Sequence, residues 1–179
     1  MTDPIWYFAY GSNMQPATFA GRRGITASRA LAARAPGWRL TLDKTPLIPV
    51  GESFANLLPE SDAHTFGVLY AITAEELAHV DLTEGVLIGN YARIEIDVVP
   101  LAGVEPSRAF TLVSDKRSPE LLPSDRYMAL LIEGAETHGL PPEWIAMLRA
   151  VPTRVTSPEG MEGSRLVDAG LRAMSRKDR

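Results

Sequence analysis

The sequence predicts one domain in which β-strands and α-helices are mixed. Three segments have the apolar or alternating character of strands, at residues 5–10, 66–72 and 91–99. Elsewhere, Thr73 and Ser124 stand where capping residues begin helices. The chain has 179 residues, of which 45% are apolar, and this is enough for a single sizeable core. We therefore expect a mixed α/β fold in a single domain.

The composition points to a small molecule as the binding partner. A net charge of -4 and an isoelectric point near 5.4 give no general attraction for nucleic acid or for an anionic membrane. The start of the chain lacks a basic n-region, and residues 5–10 are far fewer than the roughly 20 apolar residues of a membrane span. We therefore expect a soluble cytoplasmic protein, with a homodimer left open.

The sequence lacks the residues and motifs of several common kinds of active site. The chain has no cysteine, which excludes a disulfide framework, a thiolate nucleophile and cysteine-based metal centres. The signatures of serine hydrolases, zincins, P-loop proteins and dinucleotide-binding proteins are missing. His64, His79 and His138 are far apart in the sequence, so we expect no metal cluster.

The first strand ends abruptly at Gly11, where a ligand site is expected. Gly11 allows a tight turn, Ser12 and Asn13 are natural caps, and residues 14–20 could continue as a short helix. Several backbone N–H groups would then point outward together and bind a carboxylate or a phosphate. The alternative is a strand-to-helix turn that binds nothing.

The next stretch is ambiguous. The glycine-flanked basic loop at 21–24 is expected in solvent, with no function assigned. Residues 28–34 favour a helix by propensity, because Ala, Leu and Arg are good helix formers. Pro36-Gly37 marks a turn, and residues 38–42 alternate as a strand does. Residues 45–52 contain two prolines and a glycine and are expected to form a surface loop that edges a pocket.

The middle of the chain gives clearer signals. Residues 55–58 are expected to form a short strand. Residues 66–72 are continuously apolar, as in a strand buried on both faces, and should lie near the first strand. Thr73 and Glu76 form a capping box that begins a helix. This helix should end near Glu84, because the glycine that follows suits a left-handed helix end.

The last third predicts a hairpin and two further helices. Residues 91–99 alternate cleanly and should pair with 108–114 after a loop at 103–106. Ser124 is expected to cap a helix that stops at Gly139, and Pro141-Pro142 opens the next one. The chain then becomes polar, and we expect a flexible tail from about residue 165 to 179.

Glu84 is the carboxylate with the most distinctive surroundings. It lies at the end of a helix and is followed by Gly85 and an apolar run, so we expect it to be partly desolvated at the mouth of the sheet. Desolvation and the like charge of Asp81 would favour its protonated form, as suits a general base that works at neutral pH. The alternative is an ordinary solvated glutamate at a helix end.

Three motifs, in the same order along the chain, resemble the gamma-glutamylcyclotransferase family (gamma-glutamyl cyclotransferase-like, AIG2-like). YFAYGSN at 7–13 is similar to the opening signature of that family, although Met14 follows where leucine is common. DLTEGV at 81–86, followed by Tyr91, is similar to its catalytic-glutamate segment. Pro123-Ser124 with Tyr127, then Gly-Leu-Pro at 139–141, resembles its late helix and turn.

The resemblance has consequences for the fold. It implies a strongly curved, barrel-like mixed sheet flanked by helices. It also implies a strand rather than a helix at residues 28–34, which with residues 38–42 would form a hairpin around Pro36-Gly37.

The resemblance also implies an activity that needs no metal and no cofactor. A gamma-glutamyl compound carries an amine that can close a five-membered ring on its own gamma-carbonyl, giving 5-oxoproline and a free amino acid or amine. Glu84 would act as general acid and base. The implied substrate-binding residues are Tyr7, Tyr10, Gly11, Ser12, Asn13, Tyr91 and Tyr127.

Some questions stay open at this point. Strand alternation would place Tyr7 and Tyr10 on opposite faces. The donor could be a gamma-glutamyl amino acid, an amine or a biosynthetic intermediate, and the leaving group is expected between the loops at 45–52 and 115–123. The alternatives to an enzyme are a non-catalytic carboxylate-binding module on the same fold and a structural or interaction domain.

Overall fold

The computed structural model describes residues 4–48, 51–102 and 107–175. Its centre is a closed barrel of five strands in the order β1-β3-β2-β4-β5. The strands are β1 (Ile5–Ala9), β2 (Arg29–Lys44), β3 (Phe54–Ile72), β4 (Ala92–Pro100) and β5 (Ser107–Val113). The closing pair, β1 and β5, is parallel, whereas the other pairs are antiparallel. The predicted barrel-like mixed sheet is confirmed.

Four α-helices flank this barrel in the described part of the chain. They are α1 (Ala74–Thr83), α2 (Asp125–Thr137), α3 (Pro142–Arg149) and α4 (Pro158–Ser175). Short 3₁₀ turns lie at Ser12–Met14 and Val86–Ile88, and a π-helical turn lies at Ala17–Arg22. No described helix has the length and apolar character needed to cross a bilayer.

The core lies inside the barrel and under the helices. β1 pairs antiparallel with the end of β3, with Phe8 opposite Leu69, and both side chains are completely buried. The predicted neighbourhood of the first strand and residues 66–72 is therefore confirmed. Residues 67–72 are all buried, as expected for a strand covered on both faces.

The hairpin predicted around Pro36-Gly37 is wrong. Residues 29–44 form one strand, and the register with β3 shifts between Pro36 and Trp38. Gly37 has a φ of +78°, which a bulge accommodates as readily as a turn does. The strand continues because β3 is long enough to pair with it on both sides of the bulge. Residues 55–58 and 66–72 are accordingly parts of one strand, not two.

Local signals after β3 are confirmed. The Thr73 hydroxyl accepts from the Glu76 amide, and the Glu76 carboxylate accepts from the Thr73 amide. Helix α1 ends at Glu84, and Gly85 has a left-handed φ of +71°. Strands β4 and β5 pair antiparallel with Ile94 opposite Thr111. The loop predicted at 103–106 lies outside the described residues.

The later helices also follow their predicted signals. The Ser124 hydroxyl caps α2 by accepting from the Tyr127 amide. Gly139, with a φ of +64°, ends that region, and α3 begins at Pro142.

The end of the chain differs from its prediction. Residues 165–175, placed in a flexible tail from sequence, continue helix α4, whereas 176–179 lie outside the described residues. Gly160 and Gly163 form the buried side of this helix. The polar composition that suggested a tail belongs to its exposed face.

Candidate active site

A cavity of about 420 Å³ opens where β1 ends. Its wall includes the candidate catalytic glutamate and every substrate-binding residue predicted from the sequence. These residues are Tyr7, Tyr10, Gly11, Ser12, Asn13, Glu84, Tyr91 and Tyr127. Residues from the start, middle and end of the chain are thus brought together by closure of the barrel.

The opening loop, residues 10–15, forms one edge of the cavity. A 3₁₀ turn begins at Ser12, and the Met14 amide donates to the Gly11 carbonyl over 3.0 Å. The predicted side-chain caps are wrong, because no side-chain cap hydrogen bond is present at this turn. The Asn13 side chain instead points into the site. The short helix expected over residues 14–20 is replaced by the π-helical turn Ala17–Arg22.

Gly11 is required for space rather than for backbone conformation. Its φ is -112°, which any residue can adopt. A Cβ atom at this position would lie 3.2 Å from the Tyr127 hydroxyl and 3.4 Å from the Ala55 Cβ. The loop and α2 therefore approach each other closely at this point.

Arg23 was expected in solvent, and that prediction is wrong. The π-helical turn directs this side chain back under the opening loop, where the residue is only 8% exposed. Its Nε donates to the Asn13 Oδ1 over 2.7 Å, and its Nη2 lies 2.7 Å from the Glu84 Oε1. Arg22 lies on the cavity wall with its Nε 3.1 Å from the Asp168 Oδ1, although the pair lacks hydrogen-bond geometry.

Glu84 is held by one of its two carboxylate oxygens. Oε1 accepts from the Asn13 Nδ2 over 2.9 Å and faces the Arg23 guanidinium. Within the described residues neither contact involves Oε2, and the side chain is 16% exposed. The orientation of Glu84 is therefore fixed through Oε1, and the residue lines the cavity.

The charge expected beside Glu84 has the opposite sign. Asp81, predicted as a repelling neighbour, is paired with Arg93 at 2.5 Å. Burial raises the pKa of Asp81, and Arg93 opposes that shift. The nearest charge to Glu84 is instead the Arg23 guanidinium. The predicted partial burial of Glu84 is confirmed, but the predicted like-charge environment is not.

Tyr7 belongs to the cavity despite the alternation argument. Its hydroxyl accepts a hydrogen bond from the Asn13 Nδ2 over 3.1 Å, so Asn13 bridges Tyr7 and Glu84. Burial raises the pKa of Tyr7, and the nearby Glu84 carboxylate adds to the shift. Tyr10 lies one residue beyond the end of β1, so strand alternation does not govern its direction.

The other three tyrosines on the cavity wall differ in the hydrogen bonds that their hydroxyl groups form. Tyr10 donates to the Leu112 carbonyl over 2.5 Å, and Tyr91 donates to the Ala55 carbonyl over 3.3 Å. Tyr127 instead accepts from the Ala55 amide over 3.1 Å. Burial raises the pKa of all three, so each stays a neutral hydroxyl.

The Tyr127 hydroxyl keeps its proton available. Its oxygen accepts from the Ala55 amide, and a phenolic hydroxyl that accepts a hydrogen bond can still donate one. The Tyr7 hydroxyl likewise accepts, from Asn13. Tyr127 and Tyr7 are thus suited to donate to a ligand, whereas Tyr10 and Tyr91 already donate to carbonyl groups.

Comparison with known proteins matches this chain to one family. The model of the AIG2-like family matches residues 64–148. Gamma-glutamyl cyclotransferase aclK of Aspergillus oryzae is 33% identical over 165 residues, covering 81% of this chain and 60% of that protein. Human gamma-glutamylcyclotransferase is 29% identical over 154 residues, covering 83% and 79%. Over most of its length, this chain is thus similar to proteins named gamma-glutamylcyclotransferase, and it spans about three fifths of the length of the Aspergillus relative.

Solved structures agree with this assignment at the level of the fold. A structure described as a gamma-glutamyl cyclotransferase superposes with a TM-score of 0.76 at 22% identity, covering 98% of this chain and 99% of that one. A human protein structure gives a TM-score of 0.74 at 23% identity, covering 90% and 98%. The barrel and its helices are therefore the gamma-glutamyl cyclotransferase fold.

Several residues of the site lie outside both the recognised motifs and the matched family segment. Lys44, at the end of β2, is 1% exposed and lines the cavity. Its ammonium donates to the Asn90 Oδ1 and lies 4.5 Å from the centre of the Tyr91 ring. Burial lowers the pKa of Lys44 to about 8. The sequence signal for Lys44 is weak, since it consists only of a lysine before the loop expected to edge a pocket.

Of the two loops predicted to form the leaving-group pocket, one lies on the rim of the cavity. Pro46, Leu47 and Ile48 lie on it, as expected for the loop at 45–52, although residues 49–50 lie outside the described part. Residues 115–123, also predicted for the leaving-group pocket, do not line the cavity. Helix α4 takes that place with Gly160, Gly163, Ser164, Val167, Asp168 and Gly170.

Within the described residues no group of three or more His, Asp or Glu side chains could hold a metal ion. The charged groups on the cavity wall include the Glu84–Arg23 and Asp168–Arg22 pairs and Lys44. The chemistry that these residues offer is proton transfer, hydrogen bonding and charge complementarity.

Proposed function

We propose that this protein is a gamma-glutamyl cyclotransferase that converts a small gamma-glutamyl amino acid or amine into 5-oxoproline and the free amino acid or amine. The observation that carries the proposal is Glu84, a carboxylate fixed through Oε1 alone in a ligand-sized cavity. Relatives named for this activity support the reaction class.

The reaction is an intramolecular aminolysis. The alpha-amine nitrogen attacks the gamma-carbonyl carbon, forming the ring C–N bond and an oxyanion. The oxyanion then collapses, and the bond between that carbon and the leaving nitrogen breaks. One proton is removed from the attacking amine and one is added to the leaving nitrogen, so no nucleophile from the protein is consumed.

Glu84 would carry out both proton transfers. Its Oε2 would take the proton from the attacking amine and later deliver it to the leaving nitrogen. Asn13 and Arg23 hold Oε1 at 2.9 and 2.7 Å, which fixes the rotamer without occupying the second oxygen. A positioned general base of this kind typically contributes about 10²–10⁴-fold to the rate.

The opening loop and Tyr127 would stabilise the oxyanion and position the substrate. The amides of the first turn of a helix have no carbonyl partner inside that helix, and Asn13 lies in such a turn. The Tyr127 hydroxyl, whose oxygen accepts from the Ala55 amide, would add a donor beside Gly11. Hydrogen-bond donors fixed before the reaction stabilise developing charge without reorganisation.

A non-catalytic carboxylate-binding module is the second candidate. It is favoured by the ion pair between Glu84 and Arg23, because a carboxylate that only supports the opening loop would form the same pair. A binding module would retain gamma-glutamyl compounds without releasing 5-oxoproline.

The test is a panel of gamma-glutamyl amino acids and gamma-glutamyl amines, followed by detection of 5-oxoproline and of the released amine. We expect turnover of at least one donor, and none of its N-acetylated counterpart, because acetylation blocks the attacking amine. Tight binding of the panel without any product would instead support the binding module.

Glu84→Gln should lower kcat by about 10²–10⁴-fold while the variant still binds the donor, because the amide keeps the shape and removes the base. Glu75→Gln is the matched control, since Glu75 is an exposed carboxylate on the same helix. A Glu84→Gln variant that turns over within a few-fold of the parent would exclude Glu84 as the base.

A further inference from the structure

Lys44 is a buried cation that the proposed reaction does not use. It is 1% exposed, and lysine is almost never fully buried unless it is paired. In the described part of the chain, however, no carboxylate lies within ion-pair distance of its ammonium. Burial of an unpaired charge is costly, so a position of this kind calls for an explanation.

The contacts of the ammonium are neutral groups. Lys44 donates to the Asn90 Oδ1 and lies 4.5 Å from the centre of the Tyr91 ring. An ammonium has three N–H donors, and the hydrogen bond to Asn90 uses one of them. Because Lys44 lines the cavity, another donor can face a ligand.

Asn90 connects this cation to the candidate base. Its Oδ1 accepts from Lys44, while its Nδ2 donates to the Glu84 carbonyl over 2.9 Å. Asn90 is itself buried, and its carbonyl accepts from the Ser114 hydroxyl over 3.0 Å. Asn90 therefore links the Lys44 ammonium to the backbone of Glu84. Both the ammonium of Lys44 and the carboxylate of Glu84 belong to residues of the cavity wall.

This pair of charges complements one end of a gamma-glutamyl compound. The alpha-amine and the alpha-carboxylate of the gamma-glutamyl group are bonded to the same carbon. If the amine is placed at Glu84 for proton removal, the carboxylate is necessarily a short distance from it. Three other cations on the cavity wall differ from Lys44, because Arg22 faces Asp168, Arg23 faces Glu84 and Arg126 is exposed.

We propose that Lys44 binds the alpha-carboxylate of the gamma-glutamyl group and so turns the amine toward Glu84. This inference rests on the proposed function for the identity of the ligand. Lys44 would be a substrate-binding residue that selects gamma-glutamyl compounds with a free alpha-carboxylate, whatever amine they release.

The test uses two probes that differ only at the carboxylate, namely 5-oxoproline and its carboxamide, with Kd measured by calorimetry. The parent protein should prefer the acid, and Lys44→Met should weaken binding of the acid by about 10- to 100-fold, as expected for one charge-assisted hydrogen bond. Binding of the carboxamide should change by less than threefold. Arg34→Met is the matched control, since Arg34 is an exposed cation on the same strand and off the cavity wall.

A purely structural lysine would give a different result. Lys44→Met would then weaken both probes equally, and the proposal would be overturned. It would also be overturned if the parent showed no preference for the acid. Lys44→Arg, which keeps the charge, provides a second variant if Lys44→Met does not fold, and it should retain a preference for the acid.

A comparison of donor substrates distinguishes binding of the alpha-carboxylate from binding of a carboxylate on the leaving group. Lys44→Met should raise KM for gamma-glutamyl amino acids and for gamma-glutamyl amines alike. An effect limited to donors whose leaving group carries a carboxylate would overturn the proposal.

The role proposed for Lys44 and the proposed function can be refuted separately. Loss of acid preference in Lys44→Met without turnover of any donor by the parent would refute the cyclotransferase and leave a carboxylate site. Turnover by the parent with unchanged KM and probe affinity in Lys44→Met would refute only the role of Lys44.

Discussion

Gly134 of helix α2 offers a sharp test of how closely that helix packs on the opening loop. A Cβ atom built at Gly134 would lie 2.7 Å from the Met14 carbonyl carbon, 2.7 Å from the Met14 Cβ and 2.8 Å from the Gln15 amide nitrogen. These distances are far inside van der Waals contact. Two of the three atoms belong to the backbone, so a rotamer change cannot relieve the overlap and the helix or the loop must move.

The size of the effect in Gly134→Ala follows from two opposing contributions. Overpacking of this kind costs about 1–3 kcal/mol, and backbone contacts place this site near the upper end. Alanine improves helix propensity by about 1 kcal/mol. The expected net loss is about 2 kcal/mol, which lowers Tm by about 4–8 °C for a chain of this size.

Gly170→Ala is the matched control for Gly134→Ala. Gly170 lies within helix α4, and a Cβ there would meet no atom within 4 Å. Because only helix propensity changes, the free energy of unfolding of this variant should rise by up to about 1 kcal/mol.

Thermal or denaturant unfolding of both variants provides the assay for stability, and kcat/KM is compared between Gly134→Ala and the parent alone, because Gly170 lies on the cavity wall. Displacement of the opening loop should make Gly134→Ala lose activity as well as stability. If Gly134→Ala unfolds at the parent's temperature or above it, as Gly170→Ala should, the loop and α2 are not in the contact described.

Two further predictions concern the cavity. Gly11→Val should lower substrate affinity at least about tenfold while reducing Tm by only a few degrees, because its side chain would extend past the Tyr127 hydroxyl, 3.2 Å from the Cβ position; unchanged affinity would show that the loop does not bind the substrate. Affinity for 5-oxoproline should fall as pH rises through about 8, where burial places the pKa of Lys44, with Glu84 raising and Lys116 lowering that value. Above this pH the fall approaches about tenfold per unit, because only the charged lysine binds the carboxylate, and a flat profile for the parent would contradict the role of Lys44.

The helix ends that the sequence predicts correctly are those whose signals are local. The capping box at Thr73, the cap at Ser124 and the left-handed Gly85 each depend on neighbours within a few residues. The cavity residues were found differently, through motifs whose order resembles a known family. Neither route depends on knowing which strands pair.

The failures share a dependence on distant partners. Pro36-Gly37 has the composition of a turn, but the length of β3 makes it a bulge. Arg23 has the composition of a solvated loop, but Asn13 and Glu84 give it buried partners. Lys44 has only a weak sequence signal, because its burial depends on Asn90 and Tyr91, which lie more than 40 residues away.

The closing seam of the barrel determines when the cavity can exist during folding. β1 meets β5 through contacts between residues 102 and 103 positions apart, from the Tyr10 hydroxyl to the Leu112 carbonyl and from the Thr111 hydroxyl to the Phe8 carbonyl. Contacts that join distant parts of a chain incur loop-closure entropy before they stabilise anything, and they form slowly. A chain leaving the ribosome therefore carries the complete YFAYGSN segment long before it has a seam to close. Its apolar first strand stays unpaired with β5 until residues 107–113 have been made, and the cavity wall is complete only when Tyr127 and helix α4 have followed.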